Sequence, residues 1–585
     1  MLRRSFLSVA FGCFCRFYAL ESLHAKHSFF QSIIGGCLIS VSTFRFQSIR
    51  SKVHRIFYIL LLTLLAGSAV TSNFMMNLAW TLLFANWVVE WDMRRKFSNF
   101  GNNCMLHYAA ALFLITAIGL VWSDSITDGL DCLRQALPLI VIPLVVLTSQ
   151  PMNRRQCDFV AVGYIGTVFV VTVIGIWRWM SIPDLPYRRI VPYISHIRFS
   201  LNLCLSICII AAYILSFIRQ GLGYAKTTAG GTPAYRKRTA RGVAWRVVCV
   251  AMLLALVSWF VFYLFLLQSY TGLVILFATG VALLFFGIFK IQDLKTRIIS
   301  LVVAISGVCG LSLVCLHYVD EYYSPRLSQV DGSLYTANGN RYTFSNDGLT
   351  ECGRKVNDFV CEKEIRSGWA AVSGYPIDSL TPVGYSVYPT LLRYLNAMGL
   401  PKDSVGVSCL SPKDISLIEQ GVANPVYAES ASVRRMVYVM LFEYESYRCF
   451  HTVKGFTMLQ RIELWKAAWS VARRNWVHGV GTGDVEKELD IRLQVDNSPM
   501  AGTHMYPHNQ YLTHMVSYGM IAFGVLFAIA VRAFVRLRLW RKPLWMACAI
   551  IVFLSWLTED TLNTSAGAVF AALSLSLLST VRHTG

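Results

Sequence analysis

The residues best suited to chemistry are concentrated between Arg461 and Gly519. This stretch reads RIELWKAAWSVARRNWVHGVGTGD, continues through a polar interval and resumes as HMYPHNQYLTHMVSYG. An arginine stays charged, and its planar guanidinium can bind two phosphate oxygens at once. A histidine titrates near neutral pH and can accept a proton. Together they would suit a reaction that leaves negative charge on a phosphate while a hydroxyl group loses its proton.

On residue type alone, each of these candidates has a simpler interpretation. Arg461 could lie on a helix surface beside Glu463, and His508 could be an ordinary solvated histidine. An arginine at a membrane edge, such as Arg198, could extend its charged end to the interface without binding any ligand. The residue types therefore do not decide between a site and a surface.

Neither the histidines nor the glycines of this stretch form a recognisable metal or nucleotide motif. His504 and His508 are four residues apart, but Pro507 between them disfavours the regular helix that would align them, and no HExxH motif is present. The glycine run 479–483 lacks the lysine of a phosphate-binding P-loop, so a tight turn is expected there. No metal and no cofactor are expected.

The composition is that of a polytopic membrane protein. Of the 585 residues, 55% are hydrophobic and 15% are charged, whereas soluble domains carry about 25% charged residues. Apolar runs of roughly 17–22 residues can cross a hydrocarbon layer of ~30 Å. The net charge of +21 lies largely in short loops and not in a basic, aromatic-rich soluble module, so nucleic-acid binding is not expected.

The apolar runs predict an all-α fold with about 12 transmembrane helices. They occupy approximately residues 54–72, 74–91, 105–122, 131–149, 158–180, 198–218, 246–267, 269–289, 298–317, 511–534, 543–557 and 564–581. The chain then divides into a cytoplasmic or interfacial tail (1–53), spans one to nine (54–317), a long hydrophilic loop domain (318–510) and spans ten to twelve (511–585).

The basic residues predict the orientation. If all twelve runs cross, the basic clusters before the first run and after the second, fourth, sixth, eighth and tenth runs fall on one side. Positively charged loops mark the cytoplasm. Both termini are therefore predicted to be cytoplasmic, and the loop domain is predicted to be periplasmic.

The loop domain is predicted to be mainly helical. Its first part contains a hairpin-like segment, DGSLYTANGNRYTFSNDG. Two amphipathic helices are expected to end at Gly399 and Gly421, followed by two more in VRRMVYVMLFEYESYRCF and QRIELWKAAWSVARRNW. The domain also holds four cysteines. An oxidising compartment would allow disulfides between them, most simply Cys352 with Cys361, although the sequence does not decide the pairing.

At RIELWKAAWSVARRNWVHGVGTGD and HNQYLTHMVSYGMIAFG, the chain resembles the O-antigen ligase and polymerase family. Members show an Arg-x-x-x-Trp helix, a Gly-x-Gly turn and a His-Asn-x-x-Leu motif ahead of a glycine-containing span. They also have a long external loop before the tenth of twelve spans. The local motif covers about sixty residues, and the layout extends the resemblance to most of the chain.

The resemblance implies an enzyme of the bacterial inner membrane. It would transfer a glycan from a polyprenyl (undecaprenyl) diphosphate carrier to an acceptor hydroxyl, such as one on lipid A-core, at the periplasmic face. A repeat-unit polymerase of the same family is the alternative. A secondary transporter is a third interpretation, but transporters are expected to show matched halves and polar groups near mid-membrane.

The resemblance also implies roles for individual residues. Arg461 and Arg198 would bind the diphosphate, and His508 would be the acceptor base or would position the acceptor. Further substrate contacts are expected from Arg188, Arg189, Asn509 and Trp465. In place of the family's Ser-Arg pair, this chain has Ser269-Tyr270-Thr271.

Two carboxylates lie in the turn between the last two predicted spans. Glu559 and Asp560 are unusual so close to lipid. They could orient an arginine, bind sugar hydroxyls or face water, and Glu559 is included among the expected substrate contacts.

Overall fold

The fold is helical. A computed structural model describes residues 50–182, 185, 189–227, 233–324, 334–345, 348–429, 432–451, 453 and 457–580. Of the described residues, 74% are helical. One short antiparallel pair of strands, β1 (Thr350–Glu351) and β2 (Arg354–Lys355), is found in the described part of the loop domain.

Ten helices precede the loop domain in the described residues. They are α1 (50–68), α2 (Asn73–Val89), α3 (Met93–Asn102), α4 (Cys104–Ile118), α5 (Ile126–Thr148), α6 (Arg154–Ser181), α7 (His196–Thr227), α8 (Pro233–Leu266), α9 (Tyr270–Ile288) and α10 (Leu294–Tyr323).

The loop domain and the C-terminal region contribute the remaining described helices. They are α11 (Glu362–Val372), α12 (Val387–Met398), α13 (Ser404–Ser408), α14 (Pro412–Glu419), α15 (Val433–Phe450), α16 (Thr457–Arg474), α17 (Val485–Val495), α18 (Gln510–Arg536), α19 (Pro543–Ser555) and α20 (Ser565–Thr580). Short 3-10 turns lie at Pro425–Ala428, Leu539–Arg541 and Thr561–Asn563.

The predicted helical membrane fold is confirmed in outline. Each apolar run falls on a helix, and within the described residues seven helices are long and apolar enough to cross a bilayer. The pair α3 and α4, bent by 87°, could supply an eighth. The helices α19 and α20 are apolar but shorter. The count of twelve crossings and the side on which the loop domain lies stay predictions.

One large apolar core holds the bundle together. Side chains such as Leu62, Val168, Phe199, Ile551 and Val569 are completely buried within it. In this core α20 packs on α5, α19 packs on α7 and α9, and α18 packs on α4. The start of α7, the start of α18 and the connection between α19 and α20 consequently meet at one end of the bundle.

The loop domain has an apolar core of its own, in which Trp369, Leu391 and Ile418 are buried. Beside it, the fully buried Glu351 accepts a hydrogen bond from Arg393 at 2.8 Å. This pairing compensates the loss of hydration that a buried carboxylate would otherwise suffer. The predicted helix before Gly399 is confirmed, since Gly399 ends α12 with a φ of +73°.

The simplest disulfide considered from the sequence is not formed. Cys352 and Cys361 are both buried thiols. Cys352 lies in the turn between β1 and β2, where its sulfur accepts a hydrogen bond from the Asn424 amide at 3.4 Å. Cys361 lies outside this turn, at the position directly before α11.

Candidate active site

The helix α16 places Arg461 and Trp465 four residues apart, one turn from each other on one face. Leu464, Ala468 and Val471 form an apolar stripe at helical spacing on this helix. These three side chains are buried against α17 and α18. Packing therefore fixes the position of the helix. The side chain of Arg461 is mostly buried, with 17% of it exposed.

The glycine turn after α16, residues 479–483, packs closely against α18 where that helix is interrupted at Gly519. Within that helix, Gly519 has a φ of +80° and a ψ of 166°, which interrupts the helical hydrogen bonds. The Val480 N–H donates to the Val516 carbonyl at 2.8 Å. A Cβ atom on Gly519 would lie 2.4 Å from the Val477 carbonyl oxygen. With a φ of +105° at Gly481, the predicted tight turn is confirmed.

A buried carboxylate attaches this turn to the connection between α4 and α5. Asp484 accepts hydrogen bonds from the Ser123 hydroxyl and the Asp124 N–H, each at 2.7 Å, and from the Ser125 N–H at 3.0 Å. Sequence reasoning missed this contact, because no local pattern links two segments so far apart in the chain.

A second buried carboxylate holds the first turn of α18 and the backbone of His508. Asp560, in the α19–α20 connection, accepts from the His508 N–H at 2.7 Å and from the Thr513 hydroxyl at 2.5 Å. Burial raises the pKa of Asp560 to about 6, while these hydrogen bonds oppose the shift. His508 has a φ of +52°. Because this conformation is uncommon for a residue with a side chain, we infer that Asp560 stabilises it.

Two neighbouring residues fix the start of α18. The Gln510 N–H donates to the Trp556 carbonyl at 2.8 Å, and the Gln510 side chain accepts from the Leu562 N–H at 2.7 Å. Asn509 caps the helix, since its Oδ1 accepts from two N–H groups of the first turn at 3.1 and 3.2 Å. The cap leaves only the amide nitrogen of Asn509 for the predicted contact with a substrate.

The α19–α20 connection also brings a carboxylate to the predicted arginines. Glu559 accepts a hydrogen bond from Arg461 at 2.8 Å, and the Glu559 side chain is 16% exposed. Arg198, in the first turn of α7, interacts electrostatically with the same carboxylate. Three separate segments of the chain therefore contribute to one charged cluster.

His508 lies within the field of this cluster. Burial of the half-buried ring lowers the pKa of His508, the positive charges of Arg461 and Arg198 lower it further, and Glu559 opposes them. A lowered pKa favours the neutral imidazole, which is the form that can accept a proton. The structure thus brings together four of the predicted site residues.

The other predicted residues are placed differently. The Trp465 indole nitrogen is buried without a hydrogen-bond partner among the described residues. Arg189 is exposed in the connection before α7 and has no hydrogen bond or ion pair with the cluster in the described part of the chain. Arg188 lies outside the described residues.

The segment that departs from the family pattern lies beside the start of α7. Ser269 precedes α9, and its hydroxyl donates to the Ser200 hydroxyl at 2.9 Å. Ser200 is two residues beyond Arg198. This segment carries no arginine of its own.

Asp560 is the residue of the candidate site that the sequence defines least. The signal was present, because two adjacent carboxylates interrupt an otherwise apolar C-terminal region. The sequence could not separate their roles. In the structure Glu559 contacts an arginine, whereas Asp560 binds the backbone that carries His508.

No protein-family model matches this sequence, and no curated protein matches it either. The resemblance to the O-antigen ligase and polymerase family therefore stands on the motif and layout described above, and the family assignment stays a prediction.

Proposed function

We propose that this chain is a membrane glycosyltransferase. It would move a glycan from a polyprenyl diphosphate carrier to an acceptor hydroxyl, with a ligase that acts on lipid A-core as the preferred form. The observation that supports the proposal is the meeting of Arg198, Arg461, Glu559 and His508 at one end of the helical bundle. This set combines fixed positive charge for a diphosphate with a neutral histidine for a hydroxyl.

In the proposed reaction the acceptor oxygen attacks the anomeric carbon of the donor sugar. The bond from that carbon to the diphosphate oxygen breaks, and its electron pair stays on the diphosphate. Arg198 and Arg461 stabilise the charge that develops there, and guanidinium groups suit this because they bind phosphate oxygens in pairs. The mechanism requires no metal and no cofactor.

The acceptor hydroxyl loses its proton during the attack, and His508 receives it. Its lowered pKa keeps the imidazole unprotonated before the reaction, as a general base requires. Asp560 acts as a positioning residue, since it binds the His508 backbone N–H. In the resting site, Glu559 occupies the Arg461 guanidinium that a diphosphate would bind.

The position of the cluster fits a donor that is anchored in lipid. The cluster lies at the ends of membrane-length helices, so a polyprenyl chain could stay in the bilayer while its diphosphate reaches the arginines. We place this end at the periplasmic face of a bacterial inner membrane, with both termini in the cytoplasm. This orientation rests on the basic residues of the loops.

A transfer assay with purified protein, donor and acceptor tests the proposal. We expect Arg461→Ala to lower the rate by about 10²–10³-fold, as the loss of one charge-stabilising group typically does. His508→Ala should lower it by about 10²–10⁴-fold. The matched controls are Arg473→Ala, an exposed arginine of the same helix, and His504→Ala, an exposed histidine of the same segment. Full activity in both site variants would refute the assignment.

A deletion strain separates the two forms of the proposal. Loss of a ligase should leave long polymer on the polyprenyl carrier and unsubstituted lipid A-core. Loss of a polymerase should instead leave cores that carry single repeat units. Unchanged envelope glycans in a strain without a redundant enzyme would contradict both forms.

A further inference from the structure

A cavity of about 710 Å³ extends along α7 from Ser216, towards the end of the bundle opposite the candidate active site, to Asn202, one helical turn from Arg198. It is lined by residues of α1, α6, α7, α19 and α20 and of the connection before α6. Its lining runs along α6 from Arg154 to Tyr164, and along α7 from Ser216 back to Asn202. Since Arg198 lies in the first turn of α7, the Ser216 end of the cavity is the one farther from the candidate active site.

The dimensions suit one lipid chain. From Asn202 to Ser216, α7 rises by about 21 Å at 1.5 Å per residue. One leaflet of hydrocarbon is about 15 Å deep, half of the ~30 Å core. The cavity is therefore long enough to hold a lipid chain that reaches the middle of the bilayer. The volume also falls within the range of about 300–1,000 Å³ that is usual for ligand sites.

The part of the cavity towards Asn202 is mainly apolar. Its walls include Leu205, Ile209 and Phe570. At the inner end, the Tyr164 hydroxyl donates to the Asn202 side-chain oxygen at 2.8 Å. The Asn202 amide nitrogen donates in turn to the Arg198 carbonyl at 2.9 Å, so the polar atoms at this end are paired within the protein. An apolar chain could therefore enter without leaving a polar group unpaired.

The outer part of the cavity is polar, and two arginines lie there against one carboxylate, Asp158. Arg154 is exposed there, and its guanidinium contacts the Ser216 hydroxyl at 3.3 Å. Nearby, Asp158 accepts a hydrogen bond from the Tyr213 hydroxyl at 2.6 Å. Arg55 adds a second cation at this end, since it donates to the carbonyl of Pro151, a lining residue, at 2.8 Å.

We propose that this cavity binds an anionic phospholipid of the surrounding membrane. One acyl chain would fill the apolar part, and the phosphate of the headgroup would pair with Arg154. The cavity lies among membrane-length helices, where lipid is the abundant apolar ligand. A guanidinium at the opening favours a net negative headgroup over a zwitterionic one. This site goes beyond the proposed glycosyl transfer and does not depend on it.

Native mass spectrometry of the full chain in neutral detergent tests the proposal. The probes are phosphatidylglycerol and phosphatidylcholine with identical acyl chains. We expect the wild-type protein to retain phosphatidylglycerol preferentially. Arg154→Glu should weaken that binding by about tenfold, which corresponds to ~1.4 kcal/mol. Arg155→Glu is the control, because Arg155 is an adjacent exposed arginine that does not line the cavity.

A second pair of variants tests the apolar part. Ala161 lines the cavity, whereas Val162, next to it, is 66% exposed on the outside of α6. Ala161→Trp should reduce retention of both lipids, and Val162→Trp should not. Equal retention of the two lipids by the wild-type protein would overturn the proposal, as would equal retention by the two tryptophan variants. If Ala161→Trp aggregates, the comparison of Arg154→Glu with Arg155→Glu tests the proposal by itself.

Discussion

The Arg461 guanidinium on α16 lies 2.8 Å from the Glu559 carboxylate in the connection between the last two helices. This pair joins the end of the loop domain to the C-terminal helices. It also partly neutralises an arginine that the proposed reaction needs. A bound diphosphate must therefore share Arg461 with Glu559 or displace the Glu559 carboxylate. Before a donor binds, Glu559 lowers the net positive charge of the site.

The variant Glu559→Gln should move the pH dependence of transfer. The carboxylate of Glu559 raises the pKa of His508 against the larger effect of burial. Without that charge the histidine should lose its proton at a lower pH. Since a general base works in its unprotonated form, the acidic limb of kcat/KM against pH should shift to lower pH.

The control for this shift is Glu362→Gln, because Glu362 is an exposed carboxylate on α11 in the loop domain. Its pH profile should match that of the wild-type protein. A Glu559→Gln limb that stays in place, or that moves to higher pH, would contradict the role given to His508.

A different pH dependence is expected for stability, through Asp560. Burial raises the pKa of Asp560 in the folded protein to about 6, from an ordinary value of 3.8. Between these values the folded chain binds more protons than the unfolded chain. Its stability should therefore fall as pH rises through this window, by up to about 1.4 kcal/mol per pH unit.

Thermal unfolding in detergent at several pH values between 4 and 7 measures this contribution. Asp560→Asn cannot ionise, so the difference in stability between wild-type and variant should change with pH across the window. Other carboxyl groups titrate in both proteins and cancel in the comparison. A difference that is constant with pH would show that Asp560 keeps an ordinary pKa.

The substitution Gly519→Ala should destabilise the protein by about 1–3 kcal/mol, the usual cost of a strained backbone conformation. Gly519 has a φ of +80°, and an added Cβ would meet the Val477 carbonyl at 2.4 Å. Gly524 is the matched control in the same helix, because its Cβ would have no neighbour within 4 Å. Gly524→Ala should be neutral or stabilise by about 0.5–1 kcal/mol. Similar unfolding temperatures for the two variants would contradict this account.

Local features of the fold could be predicted from the sequence. The helix in VRRMVYVMLFEYESYRCF is found as α15, Val433–Phe450, and the helix before Gly399 ends where a glycine is needed. The predicted apolar runs also coincide with helices. Helical periodicity, capping residues and run length all depend on residues close together in the chain.

Contacts between distant segments could not be predicted in this way. No spacing rule connects Asp560 to His508, or Asp484 to Ser123, because each contact depends on how the finished bundle packs. The expectation that Arg198 and Arg461 share a site came from the family resemblance. In the structure the charges of both arginines lower the pKa of His508, so both lie near this ring, while their roles in a shared site stay a prediction.

The variant Trp465→Phe should separate ligand binding from folding. The indole N–H of Trp465 is buried one turn from Arg461 and has no hydrogen-bond partner in the described residues. Removing a buried donor that lacks a partner should not lower stability, whereas losing a hydrogen bond to a charged ligand costs about 1.5–3 kcal/mol. We therefore expect an unchanged unfolding temperature and a kcat/KM reduced by about tenfold or more. Trp469→Phe, at a half-exposed position of the same helix, should change neither value. A loss of stability without a loss of transfer in Trp465→Phe would show that this tryptophan serves packing alone.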